Sequence, residues 1–131
     1  MIKIAVSSGD PAGIGPDICI KAFGQKKIYD FSPVVFGDKE LFKSRANTLG
    51  IDVDIQTYKG QEELSNDSLW IANLDCDLNI LPGKPDPNCA NFIISNFKQA
   101  VERTISEEFE AVVTCPINKE IINKGGIHFT G

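Results

Sequence analysis

Two segments punctuated by glycine and proline carry the residue types that chemistry needs. The first is Ser8-Gly9-Asp10-Pro11-Ala12-Gly13-Ile14-Gly15-Pro16-Asp17. Its glycines let another molecule approach the backbone, and a helix opening near Pro16 would offer unpaired N–H groups to an anion. Two readings stand: an anion- or nucleotide-binding loop with Asp10, Gly13 and Gly15 as candidate residues, or a tight strand-to-helix turn. The segment lacks the Gly-Lys-Ser/Thr ending of a Walker loop and does not match Gly-x-Gly-x-x-Gly in register, which disfavours those two nucleotide folds. The second segment is Thr114-Cys115-Pro116-Ile117-Asn118-Lys119-Glu120. Lys119 offers a point charge to a phosphate and Asn118 a group that orients a polar ligand; the plainer alternative is a solvated lysine at a helix start. His128, the single histidine, has no Cys or carboxylate neighbours in sequence, so it is a poor metal ligand or base.

Both segments need elements to position them. Ile2 to Val6 reads as a buried strand, and a helix follows from Pro16 with Ile14, Ile18, Ala22 and Phe23 on one face until Gly24. Pro33 to Gly37 reads as a second strand. Asp38 caps a helix carrying Leu41, Phe42, Ala46 and Leu49, which Gly50 ends. Ile51, Val53 and Ile55 alternate with polar residues as a half-buried strand, and a surface loop over 59–67 precedes a strand around Leu69 to Leu74. Asp86-Pro87 opens a long amphipathic helix running to about Glu107, with Ala90, Ile93, Ile94, Phe97, Ala100, Val101 and Ile105 at spacings of three and four. Phe92 lies off that stripe and should widen the apolar surface there. Glu110 to Thr114 reads as another buried strand, and a short helix through Glu120 to Asn123 ends at Gly125-Gly126. Alternating strands and helices predict a three-layer α/β/α sandwich around a parallel or mixed sheet.

Composition narrows the function classes. With 18 acidic against 13 basic residues and no basic run longer than Lys26-Lys27, the chain has no nucleic-acid footprint. The four cysteines form no Cys-x-x-Cys pair, which argues against a zinc module and for free thiols in a reducing compartment. The N-terminus is a strand pattern rather than a signal peptide, and no apolar stretch nears the roughly 20 residues that span a bilayer. No membrane partner and a cytoplasmic location are therefore expected.

The run Gly9-Asp10-Pro11-Ala12-Gly13-Ile14-Gly15-Pro16-Asp17, with Ala111-Val112-Val113-Thr114-Cys115-Pro116-Ile117-Asn118-Lys119-Glu120 and the ending Gly126-Ile127-His128-Phe129-Thr130-Gly131, resembles the 4-hydroxythreonine-4-phosphate dehydrogenase family. The Gly-Asp and Gly-Ile-Gly-Pro pattern is also similar to the wider isocitrate and isopropylmalate dehydrogenase-like fold. One departure is Cys115, where the family usually has Gly; it adds a side chain beside the cleft that the resemblance implies. The resemblance further implies that the chain is the N-terminal α/β portion of a two-domain enzyme, truncated ahead of a His-Thr pair that binds substrate and of three metal-binding histidines. No catalytic and no metal-ligating residue is then expected within residues 1–131.

The resemblance implies an NAD- or NADP-dependent oxidation of the 3-hydroxyl of 4-phosphooxy-L-threonine. Loss of CO2 then gives 3-amino-2-oxopropyl phosphate, in pyridoxal phosphate biosynthesis. A divalent zinc, magnesium or cobalt ion would be held by the downstream histidines, and the intact enzyme would be a homodimer. Its partner molecule is a phosphorylated hydroxy-amino acid. Two alternatives share these motifs: a dehydrogenase of 4-phosphorylated threonate or erythronate, and a catalytically silent α/β module that binds another chain.

Overall fold

A computed structural model describes residues 1–25 and 29–130; the Lys26-Lys27 pair and Gly131 lie outside the described residues. The elements in order are β1 (Ile2–Ser7), α1 (Gly15–Phe23), β2 (Phe31–Gly37), α2 (Lys39–Leu49), β3 (Asp54–Thr57), β4 (Ser68–Asn73), α3 (Ala90–Ile105), β5 (Ala111–Thr114) and α4 (Lys119–Lys124). A 3-10 turn over Pro87–Cys89, capped by the Asp86 side chain, leads into α3.

The sheet has the order β3-β4-β2-β1-β5. Every pairing is parallel, so the choice between a parallel and a mixed sheet falls to parallel. Parallel strands covered on both sides are apolar throughout, and these send alternate residues to two cores. Val6, Val35, Ile55 and Ile71 pack with Cys19 and Ile20 of α1 and Phe42 and Ala46 of α2. Ala5, Val34, Phe36 and Ala72 pack on the opposite side with Ala100 of α3 and with Phe109. The three layers of the expected sandwich are therefore present, and each fully buried large side chain contributes on the order of 1.5–3 kcal/mol.

The helix signals around α2 act as their residue types dictate. Asp38 accepts from the amides of Glu40 and Leu41, and Gly50 closes the helix in the left-handed region at φ 67°.

Other elements depart from expectation for identifiable reasons. On α1, Ile14 and Ile18 are 61% and 43% exposed, while Gly15, Pro16, Cys19 and Ile20 are buried. Gly15 brings the helix backbone against Ser8, and that close approach sets which side turns inward. Ile51 and Val53 pack against the α2 core from irregular chain, and β3 begins only at Asp54. Helix α3 ends at Ile105 rather than Glu107, because Glu107 adopts a left-handed φ of 68°. Ile105 is largely exposed and Asn96 takes a fully buried place instead.

The segment expected as a buried strand is β5, and it is an edge. It pairs with β1 alone, and Ala111, Val113 and Thr114 are exposed. An apolar run reports that a strand has a covered side, not how many sides are covered. Phe92 is half-buried, and the large exposed side chains near the sheet's C-terminal edge are Ile14, Ile18 and Val113 instead. Among the described residues no helix is long and apolar enough to cross a membrane.

Candidate functional site

Strands β1 and β5 are parallel neighbours, so the two glycine- and proline-rich segments leave the sheet from the same end, where open α/β sheets collect ligands. The two segments touch. Gly9 has φ +76°, and a Cβ there would fall 2.5 Å from Pro116 O. A Cβ on Gly15 would lie 1.9 Å from Ser8 O and 3.1 Å from Cys115 Cβ. Both glycines are thus demanded by packing within the chain.

Gly13 differs. A Cβ there would come no nearer than 3.4 Å to another atom, and the residue is only half-buried. The contacts around this position leave room for a side chain, so packing within the chain does not demand glycine here.

Asp10 is buried and shapes the loop from inside. Its Oδ1 accepts the Ala12 amide at 2.9 Å, and its carbonyl accepts the Gly13 amide at 3.0 Å. The Gly83 amide donates to Ala12 O at 2.9 Å, tying the loop to the turn before α3.

Two residues that pattern reading passed over hold this end of the sheet. Arg45, on α2 and almost fully buried, donates to Pro11 O at 2.7 Å, Gly13 O at 3.1 Å and the Asp17 carboxylate at 2.7 Å. Its signal was positional: Arg45 stands three residues after Phe42 and beside Ala46, on the inward side of α2. Asn96 accepts from Ser7 Oγ at 2.8 Å and donates to Phe36 O at 2.7 Å and Ser8 Oγ at 3.2 Å. That network locks the ends of β1 and β2 to α3. A polar residue inside an apolar stripe of α3 was its only trace in the sequence.

In the second segment the Cys115 amide continues the ladder to Ser7 O at 2.8 Å. Asn118 caps α4 by accepting the Ile121 amide at 3.3 Å, and Lys119 Nζ reaches Thr130 O at 3.3 Å. Both side chains therefore serve the local structure here, while Asp10, Gly13 and Gly15 share one loop. His128 is exposed on the segment that Asn123 brackets through Phe129 N and O.

Thiols line the junction. Cys19 Sγ and Cys115 Sγ lie 3.6 Å apart. Their hydrogen bond pushes the Cys19 thiol up, reinforced by burial, and draws Cys115 down. Cys89 is pushed up to about 12, first by burial and then by the nearby Cys76, Asp10 and Asp86. Among the described residues no group of three or more His, Cys, Asp or Glu side chains is arranged to hold a metal ion.

The family model for "Pyridoxal phosphate biosynthetic protein PdxA" matches residues 30–131. The chain is similar to the 4-hydroxythreonine-4-phosphate dehydrogenase of Pseudoalteromonas atlantica, at 33% identity over 99% of this chain and 40% of that protein. It is similar to the Saccharophagus degradans protein of the same name at 37%, over 98% and 38%. The crystal structure of a 4-hydroxythreonine-4-phosphate dehydrogenase from Burkholderia phymatum superposes with a TM-score of 0.90 at 24% identity, covering 100% of this chain and 41% of that one. The Klebsiella pneumoniae enzyme gives 0.90 at 21%, covering 100% and 42%. These two likenesses establish the fold, and the chain spans about two fifths of the length of the relatives it matches. With the match running from β2 through α4 and taking in the second segment of the site, the chain belongs to the PdxA family of pyridoxal phosphate biosynthetic proteins.

Proposed function

We propose that residues 1–131 form the N-terminal α/β portion of a two-domain, homodimeric cytoplasmic dehydrogenase of pyridoxal phosphate biosynthesis. The substrate is 4-phosphooxy-L-threonine. Its 3-hydroxyl is oxidised with NAD+ or NADP+, and the β-keto acid loses CO2 to leave 3-amino-2-oxopropyl phosphate. The observation that carries this reading is the family match over residues 30–131, supported by full-chain similarity to proteins named for that dehydrogenase activity.

A bound nicotinamide supplies the hydride acceptor. The chain's own contribution is a wall of the cleft. Asp10 fixes the turn, Arg45 holds the Pro11 and Gly13 carbonyls from below, and the uncrowded Cα of Gly13 is where a cofactor or substrate approaches. Asn118 and Lys119 complete the wall by capping α4 and steadying the chain near Thr130. The described residues do not by themselves fit a zinc, magnesium or cobalt ion, since no ligand cluster exists among them. Such an ion belongs to histidines outside this chain.

Steady-state assays of the full-length protein test the reading. Formation of NADH or NADPH is expected with 4-phosphooxy-L-threonine, and it should be abolished by a chelator and restored by a divalent metal. No reduced nicotinamide with this substrate would overturn the proposal, and turnover of 4-phosphothreonate or 4-phosphoerythronate alone would move the activity to those acids.

A further inference from the structure

We infer that Cys19 and Cys115 form a reversible dithiol–disulfide site, with a low-molecular-weight disulfide as its co-reactant, that ties α1 to the chain leaving β5. The two sulfurs lie 3.6 Å apart although 96 residues separate them in sequence. A disulfide bond of about 2.05 Å requires them to close by roughly 1.5 Å, a distance that side-chain rotation supplies. Cys115 sits at the contact between the two loops, with its Cβ 3.1 Å from where a Gly15 Cβ would stand.

Exposure sets the order of events. Cys19 is 1% exposed and cannot meet a co-reactant, whereas Cys115 is only half-buried. The thiolate is the attacking species in such exchange, and the Cys115 thiol is the one of the pair drawn down. Cys115 sulfur attacks one sulfur of the small disulfide, forming a mixed disulfide and releasing one small thiolate. Capping Cys115 removes the neighbour that chiefly holds the Cys19 proton. Cys19 then loses that proton and attacks the Cys115 sulfur, expelling the second small thiolate. The two protein thiols are oxidised, one small disulfide is reduced, and the two thiol protons end on the two released thiols.

The remaining cysteines provide an internal contrast. Cys76 and Cys89 are also neighbours, yet burial pushes both thiols up, so neither offers a thiolate readily. Both pairs are close, but only the Cys19–Cys115 pair holds a thiol that is drawn down and partly exposed, so that pair is oxidised first.

The test uses the full-length protein, reduced, freed of reductant and titrated with oxidised glutathione under native conditions. Peptide mapping without reductant should find a Cys19–Cys115 cross-link that dithiothreitol reverses. Cys19→Ser should stop the reaction at a glutathione adduct on Cys115, and Cys115→Ser should leave Cys19 unmodified. In the cross-linked protein the amides of residues 12–19 should exchange with solvent more slowly than in the reduced protein. A Cys115 that stays free, an adduct on wild-type Cys115 that never resolves, or oxidation of Cys76 with Cys89 first would overturn the site. Unchanged amide exchange in the cross-linked protein would overturn the tie between the two elements.

Discussion

Replacing Arg45 with Met keeps most of the side-chain volume and removes the charged fork beneath the first loop. Three hydrogen bonds are lost, to Pro11 O, Gly13 O and the Asp17 carboxylate. Bonds from a charged donor contribute about 1.5–3 kcal/mol each. Two effects offset that loss. The Asp17 side chain is 30% exposed and regains water, and the substitution also removes a buried Nε that has no partner. A net local loss of about 2–3 kcal/mol remains, which corresponds to a roughly 30- to 150-fold change in an opening equilibrium. The amides of Ala12 and Gly13, both bonded to Asp10, report that opening directly. Hydrogen exchange on the full-length Arg45→Met protein should accelerate at these amides by that factor and leave the β2 amides over 31–37 close to wild type. Arg45→Lys, a point charge without the fork, should fall between. Exchange at Ala12 and Gly13 within about threefold of wild type, under roughly 0.7 kcal/mol, would refute the idea that Arg45 holds the loop.

Gly15→Ala should destabilise the protein by about 1–3 kcal/mol, because its Cβ meets the Ser8 carbonyl, and chemical denaturation reads that loss. Gly13→Ala should leave the denaturation midpoint unchanged and raise KM in the proposed dehydrogenase assay of the full-length protein; an unchanged KM in a stable variant removes Gly13 from the ligand surface. Asn96→Ala strips the partners from Ser7 and weakens those of Ser8 and Phe36 O, at a cost of about 1–3 kcal/mol, with proteolysis of the α3 region as the readout. Arg103 holds the Glu108 carboxyl below the usual carboxylate value through paired hydrogen bonds. Its lowered folded value makes the pair stabilising above the unfolded pKa of about 4.3, with that stability lost as pH falls through the folded value. Thermal midpoints of Glu108→Gln should therefore depend less on pH than wild type from about pH 4.3 downward, and parallel curves would contradict the pairing.

Signals that act within a few residues were legible. The Asp38 cap and the Gly50 stop were readable because each depends on one side chain or one backbone conformation. The Ile14 and Ile18 face of α1 was misjudged because helical spacing shows that an apolar stripe exists, while the close approach at Gly15 decides which stripe turns inward. Asn118 was read as a group that orients a polar ligand, and the cap it provides by accepting the Ile121 amide went unread because it depends on where α4 begins. Arg45 and Asn96 were invisible for a shared reason. Their partners lie 28 to 34 residues away for Arg45 and 60 to 89 for Asn96, so only the assembled sheet brings donors and acceptors together. The motif segments were the easiest to find and the hardest to interpret, since the packing needs of Gly9 and Gly15 produce the same letters as a ligand-binding loop.

The strand order also governs how the chain is made. β1 leaves the ribosome before the other four strands, and β2, the partner of one of its edges with Ile4 opposite Pro33, follows soon afterwards. Its other edge waits for Ala111, about 100 residues later, which at roughly 5–20 residues per second is about 5–20 s of synthesis. Throughout that interval the nascent chain holds an apolar strand with a free row of N–H and C=O groups, the arrangement most open to pairing with a neighbour. Delivery of β5, more than the final stability of the sheet, decides when this chain is most vulnerable. The species that a ribosome-associated chaperone has to cover is the one carrying β1 to β4 without it.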